Sequence, residues 1–547
     1  MDHDVTPSIT DAELVETAAA EPPRAEPSRP AEDAPLLVDG ELRGASPADG
    51  TALRPVAVTD VSTLPALVAR CRAAQERHGA RSVEDRATLL RRFADALLRR
   101  GEETVRVLME ECGKLEQEAR LVEVLPTADL AAFWCEEGPA LLANEEPELD
   151  PMSYPGKRAT IERAPRGVVA LITPWNFPVA IPLRTIFPAL LAGDGVVMKP
   201  SEYAPRCAEV IAAAAREVFG EDLVVLAQGG GDVGAGLIAA GVDAVVFTGS
   251  VATGRKVAHA AADVFVPVSL ELGGKDAAIV LDDADLERTA NGIVWGAFAN
   301  AGQNCAAIER VYVTPGIAGK LEERVVALTK ALVLGRDVGP MTTPAQLALV
   351  ARHVDEAVAA GARALVGGAR ADRPGLWYPP TVLVDVPVDA AVLVDETFGP
   401  VLPLVRVDSE EAAIEAANAS RFGLTGSVWT HDLERGERVA RRLRTGVTMV
   451  NNHSFTGAVP SLPWSGVGES GYGVTNSAHA LDLLSRPRTI LVDASRAKRE
   501  LWWHPYTPAL AVVARSLTVL RTRGAGLGPK LKAVLALLGG FLKRWKV

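Results

Sequence analysis

The stretch Gly167–Thr173 reads GVVALIT and runs directly into Pro174-Trp175-Asn176-Phe177-Pro178. An uncharged, β-branched run closed by a proline turn predicts a strand buried on both faces. The same texture returns at Gly195–Met198 (GVVM), Leu223–Ala227 and Ala244–Thr248, with helical stretches such as Ala204–Val218 between them. Strands separated by helices predict parallel βαβ units and an open α/β sheet. Ligands of such sheets sit in the loops after the C-terminal strand ends. The TPWNFP turn is therefore the first place to look for chemistry.

Upstream, Leu64 to Glu137 has a helical pattern, with Leu89, Leu90, Phe93, Leu97 and Leu98 forming one apolar face among Arg and Asp. Downstream, a second α/β block is predicted from Lys275 to Val450, with helices near Ala318–Leu332 and Pro344–Ala360. Two extended pieces, Arg158–Arg166 and Arg488–Val492, fit neither block and are candidates for pairing across a subunit boundary.

The chain has 547 residues and a net charge of −12, enough for two or three domains and opposed to general nucleic-acid binding. Its five cysteines, Cys71, Cys112, Cys135, Cys207 and Cys305, form no CxxC pair, which argues against a zinc site or a disulfide framework and for a reducing, cytoplasmic setting. The eight histidines show no ligand spacing, so no metal is expected. Residues 1–34, rich in Ala, Pro and Glu, read as a disordered tail rather than a secretory signal.

The last stretch, Ser495–Val547, reverses the charge balance with eleven basic residues against the single acid Glu500. Within it Leu531, Val534, Leu535, Leu538, Phe541, Leu542 and Trp545 recur at helical spacing. This basic amphipathic helix suits an anionic membrane surface or, alternatively, the protein's own acidic surface.

Four patterns carry the chemistry. They are Thr173–Pro178 (TPWNFP); Val197–Glu202 (VMKPSE); Phe247-Thr248-Gly249-Ser250 with Glu271-Leu272-Gly273-Gly274-Lys275; and Asn300–Cys305 (NAGQNC), followed downstream by Glu396–Pro400 (ETFGP). In this order they closely resemble the aldehyde dehydrogenase superfamily, from about Pro35 to Val492. The resemblance implies a Rossmann-type dinucleotide-binding domain (35–151 and 167–273), an α/β catalytic domain (274–455) and a β-flap oligomerisation arm (152–166 and 475–493), ahead of the 495–547 extension. It implies a homodimer or homotetramer.

By the same resemblance Cys305 is the nucleophile, since a thiolate adds readily to an aldehyde carbon. Asn176 donates to the resulting oxyanion together with the Cys305 N–H, and Glu271 is the general base that activates water against the thioester. Relatives that pass the acyl group to coenzyme A generally lack this Glu, so acid formation is expected. Lys199 and Glu202 resemble the pair that holds the adenosine ribose, which favours NAD, with NADP as the alternative. Ser250 and its helix N-terminus meet the pyrophosphate, and Gly231 and Gly234 lie near the adenine. Gln346, Glu396 and Phe398 orient the nicotinamide half, while Thr173, Trp175, Ser201, Phe247, Gly249 and Leu272 complete the cofactor contacts. The family usually has Thr where Val251 stands.

Arg184 lies where succinic semialdehyde dehydrogenases hold the substrate carboxylate, but the second Arg of that site is Ala299 here. The segment Asn451–Trp464, with Phe455, is expected to line the aldehyde entrance. A redox-independent Cys esterase and an idle membrane-associated scaffold are the competing functions. Retention of Lys199 and Glu202 opposes the first, and retention of Cys305 and Glu271 the second.

Overall fold

A computed structural model describes residues 36–544 except Met152, Ala497 and Leu501. The expected tail 1–34 and Trp545 lie outside the described residues. Two compact units are present, one ending at Ala143 and resuming over Glu162–Arg488, the other made of Asn144–Ile161 and the chain from Thr489.

The larger unit is built on two sheets. The first has six strands in the order Gly471–Tyr472, Val268–Glu271, Ala244–Thr248, Val168–Ile172, Gly195–Lys199, Val224–Leu226, all parallel except the first. The continuous apolar runs have a direct structural reason. Val169, Leu171, Val196, Met198 and Val246 enter one core cluster, while Val168, Ala170, Val197, Val245 and Phe247 enter another. Successive side chains alternate faces, and both faces are covered, so neither can be polar. Helices Val83–Arg99 and Pro205–Phe219 contribute to the first cluster, and Leu64–Gly79 to the second. On Val83–Arg99, Leu90, Phe93 and Leu97 are buried as expected, but Leu98 faces solvent and Ala94 and Ala96 take inward places.

The second sheet has seven strands in the order Arg363–Val366, Thr381–Val384, Val401–Arg406, Ile308–Val313, Asp276–Val280, Thr425–Trp429, Val447–Val450, parallel apart from the Arg363–Val366 edge. The chain passes from Val268–Glu271 to Asp276–Val280 through four residues, Leu272–Lys275. That short link brings a C-terminal strand end of the first sheet to an N-terminal strand end of the second, and the loops there meet.

The outlying strands, Lys157–Pro165 and Ser485–Asp493, pair with each other in a two-stranded ribbon within the chain. Beyond Ser485 the second of them is exposed along its whole length. In the smaller unit the predicted C-terminal helix runs Leu527–Arg544 and packs against a helix not read from sequence, Pro508–Arg521. Among the described residues no helix is long and apolar enough to cross a membrane.

Candidate active site

In the first sheet the chain moves outward in both directions from Val168–Ile172. The crevice between that strand and Ala244–Thr248 is the topological switch point where open α/β sheets bind ligands. Residues from both loops that leave it, Pro174–Asn176 and Gly249–Val251, line one cleft of about 250 Å³. Leu272 and Gly273 from the inter-sheet link line it too, with Cys305, Gln346, Glu396 and Phe398 from the second sheet's side. Residues scattered over more than 200 positions of sequence thus share one cavity.

Cys305 stands on an unusual backbone. Asn300 (φ 54°), Ala301 (φ 55°) and Gly302 (φ 71°) are consecutive left-handed residues. Each non-glycine in that region costs on the order of 1–3 kcal/mol, so the surroundings must hold it. Glu118 accepts from the Asn300 N–H at 2.6 Å, Asn300 Nδ2 donates to the Asn176 carbonyl at 3.2 Å, and Gln303 Oε1 accepts from Thr342 N–H at 2.8 Å. A β-carbon on Gly302 would run into the Gly399 carbonyl.

Asn176 Nδ2 lies 3.2 Å from the Gln303 carbonyl, two residues before Cys305, which puts the amide beside the thiol's loop. The turn carrying Asn176 is anchored by a fully buried pair. Glu123 accepts from Val179 and Ala180 N–H at 3.1 and 2.7 Å, and Lys114 faces Glu123 at 3.4 Å while its Nζ sits 4.1 Å over the Phe177 ring.

Glu271, at the end of its strand, accepts from Trp464 Nε1 at 3.3 Å. Burial raises its carboxyl above the usual range, and its contacts with Cys305, Trp464 and Arg184 pull the other way. Burial, and then the Glu271 charge, push the Cys305 thiol well above its ordinary value, while Arg184 opposes them. The Glu271 charge thus opposes ionisation of the thiol. Cys305 is the partly accessible cysteine; the other four are buried, and Cys71 is pushed up to about 12 by burial.

The cofactor residues expected from sequence fall into two groups. Trp175, Gly249, Ser250, Leu272, Gln346, Glu396 and Phe398 line the cleft. Ser250 caps the helix Val251–Asp263, whose free N–H groups open toward it. Trp175 and Phe398 meet edge to face at 5.6 Å, and Gly274 N–H donates to Glu396 at 3.0 Å. Burial lifts the Glu396 carboxyl to about 8, with Glu309 as the next cause. Lys199, Ser201, Glu202, Gly231, Gly234, Thr173 and Phe247 do not line this cleft. Of these, Lys199 and Glu202 pair at 3.4 Å, and Gly234 approaches the Lys199 chain. Phe247 packs against Gly249, and Thr173 N–H donates to the Lys199 carbonyl at 3.1 Å.

The helix N-terminus at Ser250 suits an anionic group, and Trp175 and Phe398 a flat ring, so the lining fits a dinucleotide.

The whole stretch 38–490 matches the aldehyde dehydrogenase family. The chain belongs to that family. It is 37% identical over 414 residues to the 4,4'-diapolycopene aldehyde oxidase of Methylomonas sp, covering 74% of this chain and 76% of that one. It is 35% identical over 451 residues to a Mycobacterium ulcerans protein assigned as succinate-semialdehyde dehydrogenase [NADP(+)] 2, covering 81% and 86%. PnpE, solved with nicotinamide adenine dinucleotide, superposes with a TM-score of 0.80 at 31% identity, over 84% of this chain and 95% of that one. Family membership makes this an oxidoreductase acting on aldehydes, with the α/β fold expected of an aldehyde dehydrogenase.

This aldehyde dehydrogenase also has cleft residues that sequence reading did not single out, among them Tyr203, Thr343, Arg352, His353, Asp395 and Arg421. Tyr203 and Asp395 adjoined recognised patterns, Val197–Glu202 and Glu396–Pro400, and the other four did not. The expected entrance segment lies over the cysteine, for Ser454 Oγ accepts from Asn304 Nδ2 at 3.0 Å and Trp464 bridges Glu271 and Arg184.

Proposed function

We propose that the protein oxidises an aldehyde to its acid with NAD, through a thiohemiacetal and then a thioester on Cys305. The observation that carries this is that Cys305 and Asn176 line the cleft that the Ser250 helix also faces, while Glu271, at its strand end outside the lining, contacts Cys305. Cys305 reacts as the thiolate, its proton passing to solvent. Sγ then bonds to the aldehyde carbon, and the carbonyl oxygen becomes an oxyanion held by Asn176 Nδ2 and the Cys305 N–H. NAD, when bound, would supply the hydride acceptor for this adduct, its nicotinamide half held by Gln346, Glu396 and Phe398. Glu271 finally accepts a proton from water as it attacks the thioester, releasing the acid and the Cys305 thiol.

Glu202, with Lys199, holds the ribose and disfavours a 2′-phosphate, so NAD is preferred to NADP. Ser250 with Gly249 holds the pyrophosphate, Gln346, Glu396 and Phe398 the nicotinamide half, and Gly231 and Gly234 flank the adenine. Thr173, Trp175, Ser201, Phe247 and Leu272 complete these contacts. The domain boundaries given above follow from this division of labour. The exposed Ser485–Asp493 edge, with Ile490 and Leu491 outward, is the surface through which a homodimer or homotetramer forms. The protein works in the cytoplasm, with its C-terminal extension in peripheral membrane contact.

A lipophilic aldehyde is the favoured substrate. The Methylomonas relative is named for a diapolycopene aldehyde, and Phe455 and Trp464 supply apolar surface near the cysteine. Arg184 stacks on Trp464 at 5.8 Å, but with Ala299 in place of a second cation a semialdehyde is held by one charge only. The test is NADH formation across long-chain, aromatic, short-chain and semialdehyde substrates, with Cys305→Ala as the blank. Ester turnover without NADH on any aldehyde would establish the esterase instead, and no turnover at all the scaffold.

A further inference from the structure

The chain after Ser495 has no part in the chemistry above, yet it carries the most apolar exposed helix face among the described residues. On the helix Leu527–Arg544, the side chains of Leu527, Leu531, Val534, Leu535, Leu538 and Leu542 are 39–91% exposed. At about 100° per residue these six fall within a single arc of about 100°. Lys530 and Lys532 flank that arc on its two sides. The opposite face is already used: Ala533 is buried, and a β-carbon added at Gly540 would lie 2.7 Å from Val513 of the helix Pro508–Arg521. The inner face is small and packed, and the outer one is leucine. A helix docked only on its neighbour would turn polar residues outward instead.

Charge says what covers the stripe. Ser495–Val547 carries eleven basic residues in a chain whose net charge is −12, and its one acid, Glu500, is taken up by Lys157 at 2.8 Å. An anionic surface would attract this segment and repel the rest of the protein. Three aromatic side chains at the start of the segment, Trp502, Trp503 and Tyr506, are also exposed, and such amphipathic rings favour the headgroup level of a bilayer. The stripe is about 22 Å long at 1.5 Å per residue, short of the roughly 30 Å needed to span hydrocarbon.

We infer that the Leu527–Leu542 stripe lies in the plane of an anionic lipid membrane, leucines in the acyl boundary and Lys530 and Lys532 at the headgroups. This deepens the peripheral contact proposed above by naming its surface and its lipid, and it does not depend on the Cys305 chemistry. It places the enzyme where a lipophilic aldehyde is dissolved.

The experiment is co-sedimentation of the full-length protein with vesicles of phosphatidylcholine alone or mixed with phosphatidylglycerol. The expected result is binding at least about tenfold stronger to the anionic vesicles, weakened by high salt. The exposed-face variants Leu531→Glu/Leu535→Glu/Leu538→Glu and Lys530→Glu/Lys532→Glu should each lose about tenfold in binding while oxidising a water-soluble aromatic aldehyde, without vesicles, at the wild-type rate. Full-length protein left in the supernatant with both vesicle types would overturn the inference. So would undiminished binding by the leucine variant, or a stripe-dependent larger assembly in ultracentrifugation without lipid binding. Wild-type protein that binds vesicles but forms no NADH from any aldehyde would instead sink the catalytic proposal and leave this one standing.

Discussion

Replacing Glu271 by Gln separates the two halves of the proposed reaction. The Gln side chain keeps the volume of Glu and an oxygen to accept from Trp464 Nε1 at 3.3 Å, so the change is confined to charge and proton acceptance. Loss of a positioned general base lowers a rate by about 10²- to 10⁴-fold, or about 2.7–5.4 kcal/mol. Hydride leaves before the thioester is hydrolysed. Stopped-flow absorbance should therefore show a burst of NADH near one per active site, followed by turnover slowed by that factor. A second readout follows from electrostatics. The Glu271 charge is the largest influence after burial that raises the Cys305 thiol. Its removal should move the pH midpoint of iodoacetamide alkylation downward. Turnover close to wild type would refute the assignment of the base. An alkylation midpoint that moves up or stays would refute the influence of Glu271 on the thiol.

Asn176→Ala should lower kcat by about 10²- to 10³-fold with little change in KM, since Gln303 O keeps a partner in Asn300 Nδ2 at 3.0 Å; a larger effect on KM than on kcat would remove Asn176 from the oxyanion site. Gly302→Ala meets both a φ of 71° and the Gly399 carbonyl, and should cost about 2 kcal/mol or more. Gly231→Ala, with nothing within 4 Å of the added carbon, should leave Tm near wild type. Burial raises the Asp276 carboxyl from 3.8 to about 8. The folded state thus holds a proton that the unfolded state releases, and stability present in full below pH 3.8 is lost as pH rises through 8. In urea titrations Asp276→Asn should lose less stability than wild type between about pH 5 and 9, and an equal loss would contradict the shift.

The parallel sheet was legible because burial on both faces leaves no charged residue in Val168–Ile172 or Ala244–Thr248, so the pattern is local. The site's main groups were legible because each stands in a short, crowded turn of small residues, such as Gly302 beside Cys305 and Gly273 beside Glu271. Arg352, His353 and Arg421 were not, because their roles arise only when distant elements meet. The same holds for the buried Lys114–Glu123 pair that fixes the Asn176 turn, and for Glu309, which accepts from Thr397 and Phe398 N–H at 2.8 Å each and pairs with Lys275. A charged residue in sequence reads as surface until a partner is placed beside it. Leu98 shows the converse: helical spacing put it at the edge of an apolar arc, and smaller alanines filled the core in its place. The outlying strands were seen as unplaced, but nothing local to either said that they would find each other.

Covalent capture on Cys305 tests the mechanism most directly. Glu271→Gln protein, mixed with NAD and an aldehyde that it turns over and quenched in acid, should carry on the Cys305 peptide the mass of the aldehyde less two hydrogens. An unmodified Cys305 after a full NADH burst, or the adduct on another residue, would contradict the account.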